Sequence, residues 1–203
     1  MRLRRWNWSW SWSAALLVVL AGCSGSGSGS TSGSGSTSTS AATSTSAATR
    51  TSPAITITST AFGPGQPIPV QNTCSGAGAV PALTWTGVPG TAAAVAVVMT
   101  DPDAPSGTFV HWIVTGLPAS ARQVPDPLPA GAQSGPNSAG STGWRPPCPP
   151  PGGGTHHYVF EVLALSRPVS PAAGAAPLDV VQQLRAAALP GGRGTYTGTF
   201  SRA

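Results

Sequence analysis

The stretch TDPDAPSGTFVHWIVTGL, residues 100–117, joins a polar segment to an apolar run. The polar half contains two aspartates, two prolines and a glycine, which are typical of turns. The apolar half, residues 109–117, is made mainly of β-branched and aromatic residues, which favour a strand. Strict alternation predicts two faces for this strand, one with Phe109, His111 and Ile113 and the other with Val110, Trp112 and Val114.

The same pattern of a short extended run between Gly/Pro clusters recurs along the chain. The other predicted strands lie within residues 54–60, 82–87, 92–100, 156–165 and 194–200. In the run HHYVFEV, alternation places His156, Tyr158 and Phe160 on one face and His157, Val159 and Glu161 on the other. Many short strands separated by turn residues predict a mostly β domain, built as a two-sheet β-sandwich.

One segment departs from this pattern. In PLDVVQQLRAAALPGG, residues 177–192, good helix formers lie between a proline and a Pro-Gly-Gly terminus. Near-helical spacing of apolar and amphipathic residues predicts a single helix at about 178–188, with Leu178, Val181, Leu184, Arg185 and Leu189. The irregular stretch 118–154 is a long loop, and such loops usually carry function or a binding surface.

The N-terminus has the features of a secretion signal. Arginines precede an apolar core, Ala14 to Ala21, which as a helix reaches only about 12 Å against the roughly 30 Å hydrocarbon core of a bilayer. It is therefore a signal peptide, residues 1–22, and not a membrane-spanning helix. The following LAGC resembles a bacterial lipobox, which implies lipidation of Cys23. The alternative is an ordinary signal peptide with an incidental cysteine.

Residues 23–52 are almost entirely Ser, Gly, Thr and Ala. Such a segment has too little apolar surface to offset the entropy of ordering, so we expect a disordered tether. The tether would hold the domain, residues 53–203, at the extracytoplasmic face of a cell membrane. From residue 53 onward the chain has six arginines and five acidic residues, a net charge of +1. This balance argues against nucleic-acid binding, which requires a basic face.

Cys74 and Cys148 are the two cysteines of the domain. Secreted proteins form disulfides in an oxidising compartment, so we expect these two residues to be bonded. A pair of free buried thiols is the alternative.

The segments TDPDAPSGTFVHW and GWRPPCPPPGGGTHHYVFEVLAL together resemble the phosphatidylethanolamine-binding protein family, in its bacterial Raf-kinase-inhibitor-like branch. The upstream segment CSGAGAVPALTWTGVP also fits, and the resemblance covers roughly residues 54–201. It implies a two-sheet β fold with a small anion-accepting pocket and no cofactor. The ligand-binding residues implied by the motifs are Asp101, Asp103, Pro105, His111, His156 and Tyr158. The chain departs from the common pattern at Phe109, where tryptophan is frequent, and at Trp144, Arg145 and Pro146.

These residue types suit a phosphorylated head group or a similar small anion. Imidazoles donate to phosphate oxygens and titrate near neutral pH. A carboxylate such as Asp101 favours the imidazolium form and determines which ring nitrogen carries the proton. Tyr158 adds a hydroxyl donor. The hypothesis is a membrane-tethered binding protein that is not an enzyme.

Three alternatives belong to other functional classes. Both pocket histidines with Asp101 and Asp103 could ligate a divalent metal, although no close His-x-His pairing is present. A serine hydrolase could use Ser106, His111 and an aspartate, but no Gly-x-Ser-x-Gly motif is present. A protein-interaction module that modulates a kinase or protease is permitted by the resemblance, with Arg145 available for an acidic or phosphorylated partner.

Overall fold

The computed structural model describes residues 55–203. The predicted signal peptide, the lipidation site Cys23 and the tether lie outside the described residues. Within this range the strands are β1 Thr56–Ser59, β2 Leu83–Thr86, β3 Ala94–Asp101, β4 Phe109–Leu117, β5 Gln133–Ser134, β6 His156–Leu165 and β7 Ala188–Phe200. The α-helix is α1 Pro177–Ala187, and a short 3-10 helix spans Val70–Asn72. The prediction of a mostly β, two-sheet fold with one helix is confirmed.

The two sheets are antiparallel and of unequal size. The larger sheet has the strand order β5-β4-β3-β6-β7, and β1 pairs with β2 in the smaller one. All eight residues of β3 are buried, because this central strand is covered on both faces. One face of the large sheet packs against the small sheet in a core that includes Trp85, Met99 and Phe160. The opposite face packs against α1 through Val98, Leu163 and their neighbours.

Helix α1 begins with Pro177, whose missing N–H would have no partner in the first turn anyway. Its buried face consists of Val180, Val181, Leu184 and Ala187. Leu178, which helical spacing grouped with the apolar positions, is 40 % exposed. The helix ends at Ala187 and the chain continues directly into the edge strand β7, which tolerates Pro190 because an edge strand leaves some N–H positions unpaired.

A β-bulge at His111 changes the predicted faces of β4. Met99 of β3 pairs with Trp112 and Thr100 pairs with Val110, so His111 is an extra residue in β4. Val110 and Ile113 therefore both face α1, whereas His111 contacts Tyr158 on the other face of the sheet. The prediction that Ile113 shares the face of His111, and that Val110 shares the face of Trp112, was wrong. A bulge interrupts the period of two on which that prediction depended.

A buried carboxylate links the helix to the sheet. Glu161 of β6 is fully buried. Its Oε2 accepts hydrogen bonds from the Arg185 guanidinium of α1. Its Oε1 forms an ion pair with Arg193 of β7. The angles of this contact do not meet those of a hydrogen bond. Both arginines remain partly exposed, so they neutralise the carboxylate from the solvent side.

The loop from residue 118 to residue 154 contains the two-residue strand β5 and little other regular structure. It approaches β4 closely at Gly116, where a Cβ would lie 2.2 Å from the carbonyl oxygen of Gly131 and φ is +72°. Only glycine meets both conditions. Within residues 55–203, none of the helical segments has the length and apolar character needed to span a bilayer.

Candidate functional site

The site lies where β3 ends and β6 begins. Because these strands are antiparallel, Asp101 at the end of β3 comes beside His156 at the start of β6. The Oδ2 atom of Asp101 lies 2.7 Å from Nδ1 of His156, and both side chains are buried. A carboxylate only accepts, so His156 donates from Nδ1 and its Nε2 remains available. The Oδ1 atom of Asp101 accepts the backbone N–H of Asp103 at 2.8 Å, which holds the carboxylate in place.

His111 is held by the long loop. Its Nδ1 donates to the carbonyl oxygen of Arg145 at 2.9 Å, and the backbone N–H of Arg145 donates to the carbonyl oxygen of His111 at 2.9 Å. Burial lowers the pKa of His111 below its ordinary value, and the bonded carbonyl and the charge of Asp101 only partly offset this effect. At neutral pH the imidazole is therefore uncharged, with its proton on Nδ1 and a lone pair on Nε2.

Tyr158 connects the two histidines. Its ring centroid lies 5.3 Å from that of His111 in an edge-on arrangement and 6.5 Å from that of His156 in a stacked arrangement. The side chain is fully buried, and its hydroxyl has no hydrogen-bond partner among the residues that the structure describes. Burial raises the pKa of Tyr158 well above its ordinary value, and the charges of Asp101 and Asp103 add to this shift. The hydroxyl is therefore a permanent donor.

Asp103, which the motif implies is a ligand-binding residue, is paired with His157. Its Oδ2 accepts from Nδ1 of His157 at 2.8 Å and from the backbone N–H of His157 at 2.7 Å. The side-chain hydrogen bond from His157 is the main reason that the pKa of Asp103 is lowered. Both side chains are exposed. The sequence placed His157 on the opposite face from His156, but it contained no signal for this pairing across 54 residues.

The remaining predicted residues lie at the rim. Pro105 and Ser106 are exposed, on the turn between β3 and β4. Residues 151–155, before β6, are also exposed. The structure therefore brings together Asp101, His111, His156 and Tyr158, and it leaves Asp103 and Pro105 on the surface beside them.

The loop that carries Arg145 is attached to the rest of the domain by a disulfide. Cys74 and Cys148 are bonded, with their Cα atoms 5.3 Å apart. The backbone N–H of Cys74 also donates to the carbonyl oxygen of Pro147 at 3.0 Å. Arg145 is three residues from this anchor, so the disulfide restricts the segment that holds His111.

The described part of the chain contains no group of three or more His, Cys, Asp or Glu side chains that could hold a metal ion. Among the site side chains, the buried Tyr158 hydroxyl has no partner within residues 55–203, and Nε2 of each of the two histidines is not used by the hydrogen bonds described above. Such a set suits an oxygen-rich ligand that accepts from tyrosine and from protonated histidine.

Comparison with known proteins shows which sequences this chain resembles. The family model described as phosphatidylethanolamine-binding protein matches residues 58–201. The chain is 45 % identical over 143 residues to LppC of Mycobacterium tuberculosis, named as a candidate lipoprotein, and the match covers 70 % of each chain. It is 39 % identical over 123 residues to a UPF0098 protein of Methanothermobacter thermautotrophicus, covering 58 % of this chain and 80 % of that protein.

Two solved structures share the fold. The Escherichia coli protein YbcL, described as a member of the mammalian PEBP family, has a TM-score of 0.67 and 30 % identity, covering 73 % of this chain and 99 % of YbcL. The PEBP homologue CT736 of Chlamydia trachomatis has a TM-score of 0.64 and 30 % identity, covering 74 % of this chain and 99 % of CT736.

Proposed function

The chain belongs to the phosphatidylethanolamine-binding protein family, and on this basis we propose that Asp101, His111, His156 and Tyr158 bind the phosphate group of a small ligand. The observation that carries the proposal is the buried Tyr158 hydroxyl, which lacks a partner among residues 55–203. A buried donor without an acceptor costs about 1–3 kcal/mol. A phosphate oxygen would satisfy it.

An anion binds next to His111 only if a proton lies between Nε2 and the anion. In the free protein its Nε2 is an acceptor, which repels a phosphate oxygen. Protonation of Nε2 converts it to a charged donor. The Arg145 carbonyl and the Asp101 charge favour that form, but burial outweighs them in the free protein and keeps the pKa lowered. Alternatively, a singly protonated phosphate donates its own proton. Either route gives one complex with the same number of protons.

Only the phosphate group of the ligand enters the site. The four buried side chains leave little surface exposed, so the phosphate contacts them while its substituents stay outside. The exposed turns around Pro105 and residues 151–155 then contact the remainder of the ligand. Asp103 stands at this rim, and its carboxylate can interact with an ammonium substituent.

Calorimetry with inorganic phosphate, phosphoethanolamine and glycerophosphoethanolamine tests the proposal. We expect saturable binding of at least one probe by the purified protein and none by the His111→Ala, His156→Ala double variant. His157→Ala is the matched control with inorganic phosphate, which has no ammonium group to contact Asp103, because the His157 imidazole is exposed on the other face of β6. Equal heats from the wild type and the double variant would remove the proposal.

We further propose that the domain is anchored outside the cytoplasm through Cys23. The LAGC motif, the lipoprotein name of the relative LppC and the Cys74–Cys148 disulfide support this placement. Metabolic labelling with an alkynyl fatty acid should mark the wild type and not Cys23→Ala. Equal labelling of both proteins would contradict the anchor.

A further inference from the structure

A cavity separate from the proposed phosphate site lies between the small sheet and the long loop. Its volume is about 650 Å³, within the range of small-molecule sites. None of Asp101, His111, His156 and Tyr158 lines it. Its walls come from residues 79–84, from β4 and from residues 123–128, and they are mainly apolar.

The walls of this cavity are held in place by hydrogen bonds. Trp144, which lines the cavity, donates from Nε1 to the carbonyl oxygen of Gly78 at 2.7 Å. Asn72 donates from Nδ2 to the carbonyl oxygen of Ala79 at 3.0 Å. On the other side, the backbone N–H of Trp85 donates to the carbonyl oxygen of Arg122 at 2.9 Å. This hydrogen bond attaches the start of the 123–128 wall to β2. A cavity that is already formed loses little entropy when a ligand binds.

The cavity combines an aromatic surface with a single charged group. Trp112 and Trp144 meet edge to face, with ring centroids 5.4 Å apart. Asp126 is the one ionisable residue in the lining, it is exposed, and it has no ion-pair partner within residues 55–203. A carboxylate and indole rings that line the same cavity each attract a cation, the first through its charge and the second through the faces of the rings.

We propose that this cavity binds an organic ammonium compound with an apolar or aromatic body. The body packs against Trp112, Trp144 and the aliphatic walls, and the ammonium group lies toward Asp126. An anion is disfavoured by the carboxylate, since no cationic side chain among residues 55–203 lines the cavity. The inference does not depend on the phosphate site.

The test uses benzyltrimethylammonium as the cationic probe, with benzyl alcohol and benzoate as neutral and anionic aromatic probes. Binding to the full chain is followed by calorimetry and by ligand-observed NMR. We expect saturable binding of the cation, and weaker binding of the neutral and anionic probes. Asp126→Asn should weaken cation binding by about threefold to fivefold, the scale of an exposed ion pair. Because Asp126 is exposed, this variant should fold normally.

Asp179→Asn is the matched control, since Asp179 is an exposed aspartate on α1 that does not line the cavity. His156→Ala should bind the cation as the wild type does, because His156 bonds Asp101 and does not line the cavity; this variant separates the inference from the phosphate site. Absence of cation binding would overturn the inference. So would equal affinity for the cationic and neutral probes, or an unchanged affinity in Asp126→Asn.

Discussion

His111 and Arg145 are joined by two hydrogen bonds, both 2.9 Å long. The His111 imidazole donates from Nδ1 to the Arg145 carbonyl, and the backbone N–H of Arg145 donates to the His111 carbonyl. They join the bulge in β4 to the long loop across 34 residues. The pair fixes the tautomer of a buried histidine, and so it determines that His111 presents Nε2 to a ligand. The chemistry of the site thus depends on the conformation of a loop.

Ligand affinity should increase as the pH falls. The pKa of free His111 is lowered by burial, and a bound anion raises it, so binding takes up a proton at a pH between the two values. We expect the affinity for glycerophosphoethanolamine to rise from about pH 8 to about pH 6, by at most about tenfold per pH unit for one proton. A phosphodiester keeps a constant charge over this range, so calorimetry reports the protonation of the protein.

His157→Ala serves as the control for this pH dependence and should keep the slope. A pH-independent affinity in the wild type would contradict the protonation of His111 on binding.

Tyr158→Phe should weaken ligand binding without lowering the stability of the protein. The hydroxyl has no partner in the described part of the chain, so its removal should leave the free energy of unfolding unchanged or raise it by up to about 1 kcal/mol. Phosphate affinity should fall by about tenfold to hundredfold, because a hydrogen bond to a charged ligand is lost. Calorimetry and guanidinium unfolding measure the two effects.

Tyr196→Phe is the matched variant for comparison. The Tyr196 hydroxyl donates to the carbonyl oxygen of Phe62, so this variant should lose about 1 kcal/mol of stability and keep its phosphate affinity. A destabilised Tyr158→Phe with normal affinity would show that the Tyr158 hydroxyl has a structural role only.

The double variant Cys74→Ser, Cys148→Ser should be less stable. The cysteines are 74 residues apart in sequence, and the chain-entropy model assigns about 4 kcal/mol to the closure of such a loop. Guanidinium unfolding of this variant should match that of the wild type in a reducing buffer. An unfolding free energy that is the same with and without reductant would contradict the prediction.

Removing the charges of Arg185 and Arg193, which pair with Glu161, should lower the free energy of unfolding. Arg185→Met together with Arg193→Met leaves the Glu161 carboxylate buried without a counter-charge. We expect the free energy of unfolding to fall by about 3–5 kcal/mol. Adding Glu161→Leu to this double variant should recover most of the loss, since the buried charge is then absent. Thermal unfolding of the double and triple variants makes the comparison. If the triple variant were no more stable than the double, the loss would not come from the buried charge.

Much of the architecture follows from local sequence. The bounds of β4 and β6 agree with the predicted runs 109–117 and 156–165, and α1 lies within one residue of the predicted helix. Local sequence is sufficient here because alternation, β-branched residues and turn residues act over a few positions. The motif residues also identified the family, and the structure brings four of the six proposed ligand residues together.

The relations across strands and loops depend on the tertiary structure. The bulge at His111 appears in the pairing of β4 with β3, since a one-residue insertion has no local signature in a run of apolar residues. The partners of His111, His156 and Asp103 are 34, 55 and 54 residues away in sequence. Sequence determined which groups this protein possesses, but strand register and loop conformation determined which hydrogen-bonding atoms are already used and which remain for a ligand.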